Sequence, residues 1–185
     1  MNRNGLLGVV AMTGMLLLSA ATWADTNVTL SDVHLCCNSC VKGVDTAVAP
    51  ISGVKATSDR TAGTIVITAP DAASAQKAVD ALVAAGYYGA SSDAAVKVNA
   101  PTGASAGKVQ TLEVGGVHLC CNKCVTTVRD ILTNIDGVKG QTVKQRATSF
   151  TVTGDFEPKA VFEALNKAGL AGHVASGATT QPSAK

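Results

Sequence analysis

Aromatic side chains are scarce in this chain, which has three phenylalanines, two tyrosines and a single tryptophan, Trp23. The net charge is also small, because 15 Lys and Arg residues nearly balance 13 Asp and Glu residues. Without an arginine-rich patch or a row of stacking aromatics, the chain lacks the usual features of a nucleic-acid-binding surface. We therefore expect no nucleic-acid partner, and we expect small cores built from valine, isoleucine, leucine and alanine.

Long apolar runs are absent apart from residues 5–21, which follow the positively charged Arg3. Small residues at 20–24 then provide a cleavage site, so the pattern predicts a secretory signal peptide over residues 1–24 and a mature chain from Asp25. An uncleaved single anchor is the alternative. Because no second apolar run follows, we expect a secreted or periplasmic protein with no stable membrane insertion after cleavage.

Cysteine is absent outside two tight clusters. A disulfide framework usually spreads its cysteines so that the bridges close long loops, and these clusters would close almost none. The acidic residues are scattered, which argues against a site for a hard cation such as calcium or magnesium. The clustering instead indicates a thiol site, built from Cys36, Cys37 and Cys40 in one cluster and Cys120, Cys121 and Cys124 in the other.

The two clusters belong to an internal repeat. Residues 33–41 recur as residues 117–125 with one difference, Ser39 against Lys123. Agreement at a nearly constant offset continues through each copy, which indicates a duplicated module. The sequence therefore predicts a first module at 25–98 and a second at 109–175. The small and polar residues at 99–108 predict a flexible linker, and those at 176–185 predict a disordered tail.

Each module shows the same order of elements. Residues 26–30 and 110–114 alternate as half-buried strands do, and a change of alternation phase before each cluster predicts a bend, which Gly115 and Gly116 would permit. Apolar residues then recur at helical spacing, a hairpin follows, and a second helix ends at Gly86 or Gly169, where a left-handed residue is favoured. The expected fold class is α+β, with two tandem ferredoxin-like βαββαβ modules. The predicted helix stripes are Val41, Val44, Val48 and Ile51, and Val125, Val128, Leu132 and Ile135.

Both Cys-x-x-Cys segments lie where a strand leads into a helix. Cys37 and Cys40 form the first pair, and Cys121 and Cys124 form the second. The unpaired N–H groups of a helix start favour negative charge and lower the pKa of a thiol there. Paired thiolates on a partly exposed loop suit a soft ion in low coordination, and Cu(I) is the ion we expect. The sequence therefore predicts one such metal site in each module.

Residues 35–40 and 119–124 resemble the Met-x-Cys-x-x-Cys loop of the heavy-metal-associated domain family, with leucine in the place of methionine. Gly86-Tyr87 is similar to the Gly-Tyr segment that follows the second helix in that family. The family includes copper chaperones, N-terminal modules of copper-transporting ATPases and a periplasmic mercury-binding protein. The resemblance implies a non-enzymatic protein that sequesters or transfers a metal ion. A metal-transporting ATPase or another metal-binding protein would then be its partner.

The sequence alone leaves several ligand and function assignments open. Cys36 and Cys120 precede the two motifs, and His34 and His118 precede those cysteines, so all four are additional candidate ligands. Hg(II) and Zn(II) are alternatives to Cu(I). A structural disulfide in each motif, a thiol–disulfide oxidoreductase, or a redox-sensitive structural module without metal would use the same cysteine pairs.

Overall fold

The computed structural model describes residues 25–175, together with the backbone of Gln181 and Pro182. The predicted signal peptide at 1–24 and most of the tail at 176–185 lie outside the described residues. Within the described part of the chain, no helix combines the length and the apolar character needed to cross a bilayer.

The first module is a four-stranded antiparallel sheet with two helices packed against it. Its strands stand in the order β2-β3-β1-β4, so the first and third strands lie side by side at the centre. Val28, Leu30, Ile65 and Ile67 of these central strands are buried, whereas Val66 of the third strand is exposed. The elements are β1 (Thr26–Ser31), α1 (Asn38–Val48), β2 (Lys55–Asp59), β3 (Thr64–Ala69), α2 (Ala72–Ala84) and β4 (Ala90–Ser91).

The second module repeats this arrangement, with strand order β6-β7-β5-β8. Its elements are β5 (Val109–Gly115), α3 (Asn122–Thr133), β6 (Val138–Gln141), β7 (Ser149–Phe156), α4 (Pro158–Lys167) and β8 (His173–Val174). A short β9 (Gln181–Pro182) also pairs with β5. The prediction of two ferredoxin-like βαββαβ modules is confirmed.

The predicted apolar stripe of α1 is confirmed in its middle and differs at its ends, because Val44 and Val48 are buried, whereas Val41 and Ile51 are only half-buried. The stripe of α3 is confirmed for Val125, Val128 and Leu132, and only Ile135 is half-buried. The first turn of α1 buries Cys40 instead, and α3 buries Cys124 at the equivalent place. The second thiol of each motif therefore belongs to the packed face of its helix.

A bend separates each first strand from its cysteine loop. Asp32 and Gly116 hold matching positions directly after β1 and β5, and both have left-handed backbone, with φ of 60° and 74°. The bend predicted from the phase change is thus present in both modules. It takes residues 33–37 and 117–121 out of the sheet, so that they approach α1 and α3 as extended loops.

The two modules contact each other through equivalent segments, those that follow α2 and α4. Tyr87 and Leu170 form an antiparallel bridge, and the Ala171 N–H donates to the Gly86 carbonyl at 3.0 Å. The Gly169 carbonyl accepts from the backbone of both His34 and Tyr88, each at 3.2 Å. Because equivalent residues meet, the modules are related by an approximate two-fold axis, and this axis turns the two cysteine loops toward each other.

Candidate metal centre

All six cysteine sulfurs lie in one cluster between the modules. The expectation of one separate site in each module is therefore wrong for this arrangement: the chain presents a single thiol-rich centre. Sequence spacing could not show this, because the contacts join residues 80–88 positions apart. The contacts across the interface are Cys36–Cys121 at 3.3 Å, Cys36–Cys124 at 3.4 Å, Cys37–Cys120 at 3.5 Å and Cys40–Cys120 at 3.5 Å.

Contacts within each module repeat almost identically. Cys37 and Cys40 are 3.8 Å apart, as are Cys121 and Cys124, and the sulfurs at 36 and 40 are 3.7 Å apart, as are those at 120 and 124. Each distance is well beyond the roughly 2.05 Å of a disulfide bond, and all six cysteines are free thiols. The extra cysteines, Cys36 and Cys120, are thus full members of the cluster.

The helices α1 and α3 both begin at the cluster. Cys37 and Cys121 are their N-cap residues, with extended backbone and no side-chain hydrogen bond to the helix. Neither helix has an acidic residue in its first turn. Because the positive ends of two helix dipoles meet the same group of thiols, negative charge on sulfur is favoured from both modules.

The pKa values of the thiols show how the cluster holds negative charge. The Cys124 thiol, as a hydrogen-bond donor, lowers the pKa of Cys40, and the pKa of Cys124 is raised for the same reason. Burial opposes ionisation of Cys121, yet hydrogen bonds from the Cys124 N–H and the Cys36 thiol lower its pKa to about 6. Burial raises the pKa of Cys36 to about 12 and also raises that of Cys120. A thiolate in this cluster is thus stabilised by thiols of both modules.

The two candidate histidines have different surroundings. A ring nitrogen of His34 lies within 4.8 Å of the sulfurs of Cys36 and Cys124. Its Nε2 is buried without a hydrogen-bond partner, and burial lowers the pKa of this imidazole, which favours the neutral form that binds metals. In contrast, Nε2 of His118 lies 3.2 Å from the Tyr87 hydroxyl, and the two rings stack with centroids 4.7 Å apart. His34 therefore has an unpartnered ring nitrogen close to the cluster, whereas His118 is held by Tyr87 and also hydrogen-bonds to the Cys40 side chain.

Tyr87 supports the first cysteine loop from beneath. Its side chain is 1% exposed, and its hydroxyl donates to the Cys40 carbonyl at 2.7 Å. The hydroxyl fits because Gly43 has no side chain, since a Cβ at that position would overlap the tyrosine oxygen. The second module has Thr127 and Leu170 at the matching positions. Gly43 was not among the predicted site residues, although a glycine inside a helix, matched by threonine in the repeat, was the available signal.

We expect Gly43→Ala to destabilise the first module by about 1–3 kcal/mol, because it displaces the Tyr87 hydroxyl and leaves buried polar groups without partners. An ordinary glycine-to-alanine change inside a helix would instead stabilise the protein by up to about 1 kcal/mol. Because the two cases change the free energy of unfolding in opposite directions, urea unfolding of the variant distinguishes them. Thr127→Ala, at the matching position of α3, is the control and should have little effect. Stabilisation by Gly43→Ala would show that the tyrosine contact does not hold the loop.

The chain matches no known family model, and no curated protein matches it significantly. Among solved structures, it is similar to the N-terminal soluble domains of Bacillus subtilis CopA, with 18% identity over 83% of this chain and 96% of the other, at a TM-score of 0.29. The water-soluble region of the P-type ATPase CopA from the same organism gives 18% identity over 82% and 92%, at a TM-score of 0.27. The first two RRM domains of the yeast poly(U)-binding protein give 11% identity over 83% and 100%, at a TM-score of 0.24.

Likenesses at these scores establish neither a shared function nor a shared arrangement of the two modules. The cysteine cluster is the observation on which function depends, because its geometry belongs to this chain's own residues. Among the described residues, several groups of three cysteines, and one group of His34 with two cysteines, have ligand atoms within 4.8 Å of one another and could hold a metal ion.

Proposed function

We propose that the chain is an exported, non-enzymatic protein that binds Cu(I) through the thiolates of its cysteine cluster and sequesters it or passes it to another protein. The observation that carries this proposal is the convergence of all six thiols at the start of two helices. Soft thiolate ligands favour Cu(I) over hard cations. A metal-transporting ATPase or another metal-binding protein is the partner we propose for transfer.

Ion transfer from such a centre would proceed by ligand exchange. Cys37 and Cys121 are only partly buried, so a thiolate of a partner protein can approach an ion held by either residue. The incoming thiolate binds before an original thiolate leaves, and the ion is never released into water. Because no electron is transferred, the copper stays in the Cu(I) state throughout.

Competition for Cu(I) tests this function directly. The reduced chain from Asp25 onward is titrated without oxygen against a coloured Cu(I) chelator, alongside the double variant Cys37→Ser/Cys121→Ser. We expect the variant to lose at least about 100-fold in Cu(I) affinity. Removal of a residue that only supports a metal ligand typically costs about 10–100-fold, so a loss of this size indicates the loss of ligands themselves. Ser39→Ala is the matched control, because Ser39 lies exposed in the same loop and offers no sulfur.

Unchanged affinity in the cysteine variant would contradict metal binding by these thiolates. The oxidoreductase alternative is tested with the same preparations, as turnover of a small disulfide substrate by the metal-free, reduced chain. Turnover that depends on Cys37 and Cys121, together with weak Cu(I) binding, would favour that alternative. We expect the opposite pair of results.

A further inference from the structure

We propose that the six cysteines form one thiolate cage that takes up four monovalent soft ions, such as Cu(I), as a single cluster shared by the two modules. This inference rests on the proposed function and adds to it the number of ions, their coordination and the role of Cys36 and Cys120. It replaces the arrangement of one ion per Cys-x-x-Cys motif.

The contacts among the sulfurs describe an octahedron. The groups Cys36–Cys37–Cys121 and Cys120–Cys121–Cys124 are each mutually within 4.8 Å, and Cys40 and Cys124 interact through their side chains. With the eight contacts of 3.3–3.8 Å, every sulfur then neighbours all the others but one. The three remaining pairs among these six residues, Cys36 and Cys120, Cys37 and Cys124, and Cys40 and Cys121, take the positions of opposite vertices.

Such an octahedron has room for four ions on alternate faces. Each ion then has three sulfur ligands, and each sulfur bridges two ions, so all six thiols are used without any further ligand. With a metal–sulfur bond of about 2.3 Å, three sulfurs around one ion lie about 4.0 Å apart. Eight of the twelve edges have separations of 3.3–3.8 Å, which are slightly shorter, so along these edges loading requires only a small expansion.

The charge of the cage selects monovalent ions. Four Cu(I) ions bound to six thiolates leave a net charge of −2 on the cluster, and loading releases to solvent the protons that the thiols still hold. No charged side chain is buried in the described part of the chain. The N-termini of α1 and α3, each equivalent to about half a positive charge, offset part of this negative charge. The sign of the charge on the loaded cluster thus agrees with the field that the two helices provide.

Zn(II) fits this cage less well than Cu(I). Structural zinc sites are almost always four-coordinate, whereas the faces of the cage offer three sulfurs each. His34, beside Cys36 and Cys124, and His118, which hydrogen-bonds to the Cys40 side chain, can complete the coordination of two ions at most. The other two ions would lack a fourth protein ligand. Three-coordinate Cu(I) needs no such addition, so the shape of the cage and its charge favour the same ion.

The mass of the loaded chain tests the proposal. The reduced chain from Asp25 onward is titrated with Cu(I) and examined by native mass spectrometry without oxygen. We expect the species with four coppers bound to dominate, with little of the intermediate species. X-ray absorption at the copper edge should show three sulfur neighbours at about 2.3 Å and copper neighbours at about 2.7 Å, the spacing of alternate faces in a cage of that size.

Cys36→Ser separates the shared cage from two independent sites, because Cys36 lies outside both Cys-x-x-Cys motifs but bridges two ions in the cage. We expect this variant to bind fewer than four coppers and to lose the short copper–copper distance, with Ser39→Ala unchanged. Two coppers per chain in both wild type and Cys36→Ser would overturn the cage while leaving the proposed function intact. Absence of tight copper binding to the wild type would overturn both.

Discussion

Loading with Cu(I) is expected to stabilise the whole chain against urea by at least about 4 kcal/mol and to make both modules unfold in one transition. A ligand present at about a thousand times its dissociation constant contributes this amount when it binds only the folded state. In either choice of alternate faces, three of the four ions have sulfur ligands from both modules. Neither module can then unfold without breaking metal–sulfur bonds of the other.

Circular dichroism during urea titration of the metal-free and loaded chains measures this effect. A hard divalent cation such as Mg(II) is the control, because thiolates are poor ligands for it. Two separate transitions in the loaded chain, with only one of them shifted by copper, would mean that the ions are held within one module. Such a result would contradict a shared cluster.

The sequence predicted the fold because the relevant information is local. Each strand, helix and turn of a module is visible as a periodicity or a glycine within about seventy residues, and the repeat shows the pattern twice. The left-handed residues Asp32 and Gly116 even explain the change of phase that the alternation revealed. Composition likewise indicated aliphatic cores, and most buried residues are aliphatic, but the few aromatic residues contribute too: Tyr87, Phe150, Phe156 and Phe162 are buried.

The shared centre could not be predicted in the same way, because it depends on how the modules meet. The decisive contacts, such as Cys36 with Cys121, join residues of different modules, and no spacing along the chain encodes their distance. The one hint was the additional cysteine in each motif. A thiol before the Cys-x-x-Cys pair has no evident role in a site of two sulfurs, yet it is required in a cage of six.

The two modules are not fully equivalent despite their shared origin. Tyr87 in the first module holds His118 of the second through its hydroxyl, while the matching Leu170 offers no polar atom to His34. One histidine is therefore restrained and the other has a free ring nitrogen beside the cysteines. Comparison of the two copies in the sequence shows that leucine replaces tyrosine. The effect of this replacement on the histidines is visible only in the contacts between the modules.

The double variant Gly86→Ala/Gly169→Ala is expected to separate the modules and abolish the four-copper species. A Cβ at Gly86 would lie 2.5 Å from both the Gly116 carbonyl oxygen and the His118 nitrogen, and a Cβ at Gly169 would overlap the backbone of Asp32 and His34. These obstacles are backbone atoms of the opposite module, which cannot rotate away as a flexible side chain can. Separation removes the contacts that assemble the cage and leaves one Cys-x-x-Cys pair in each module.

Small-angle scattering and native mass spectrometry measure the two consequences together. We expect the radius of gyration to rise above that of the wild type, since a compact body of about 150 residues has a radius near 15 Å, and we expect copper binding to fall below four per chain. Both glycines also have positive φ, so alanine there costs about 1–2 kcal/mol of backbone strain. Gly107→Ala is the matched control, because Gly107 has φ of 85° and open space around its Cβ position. If the double variant still binds four coppers in a compact chain, contact between the modules does not build the centre.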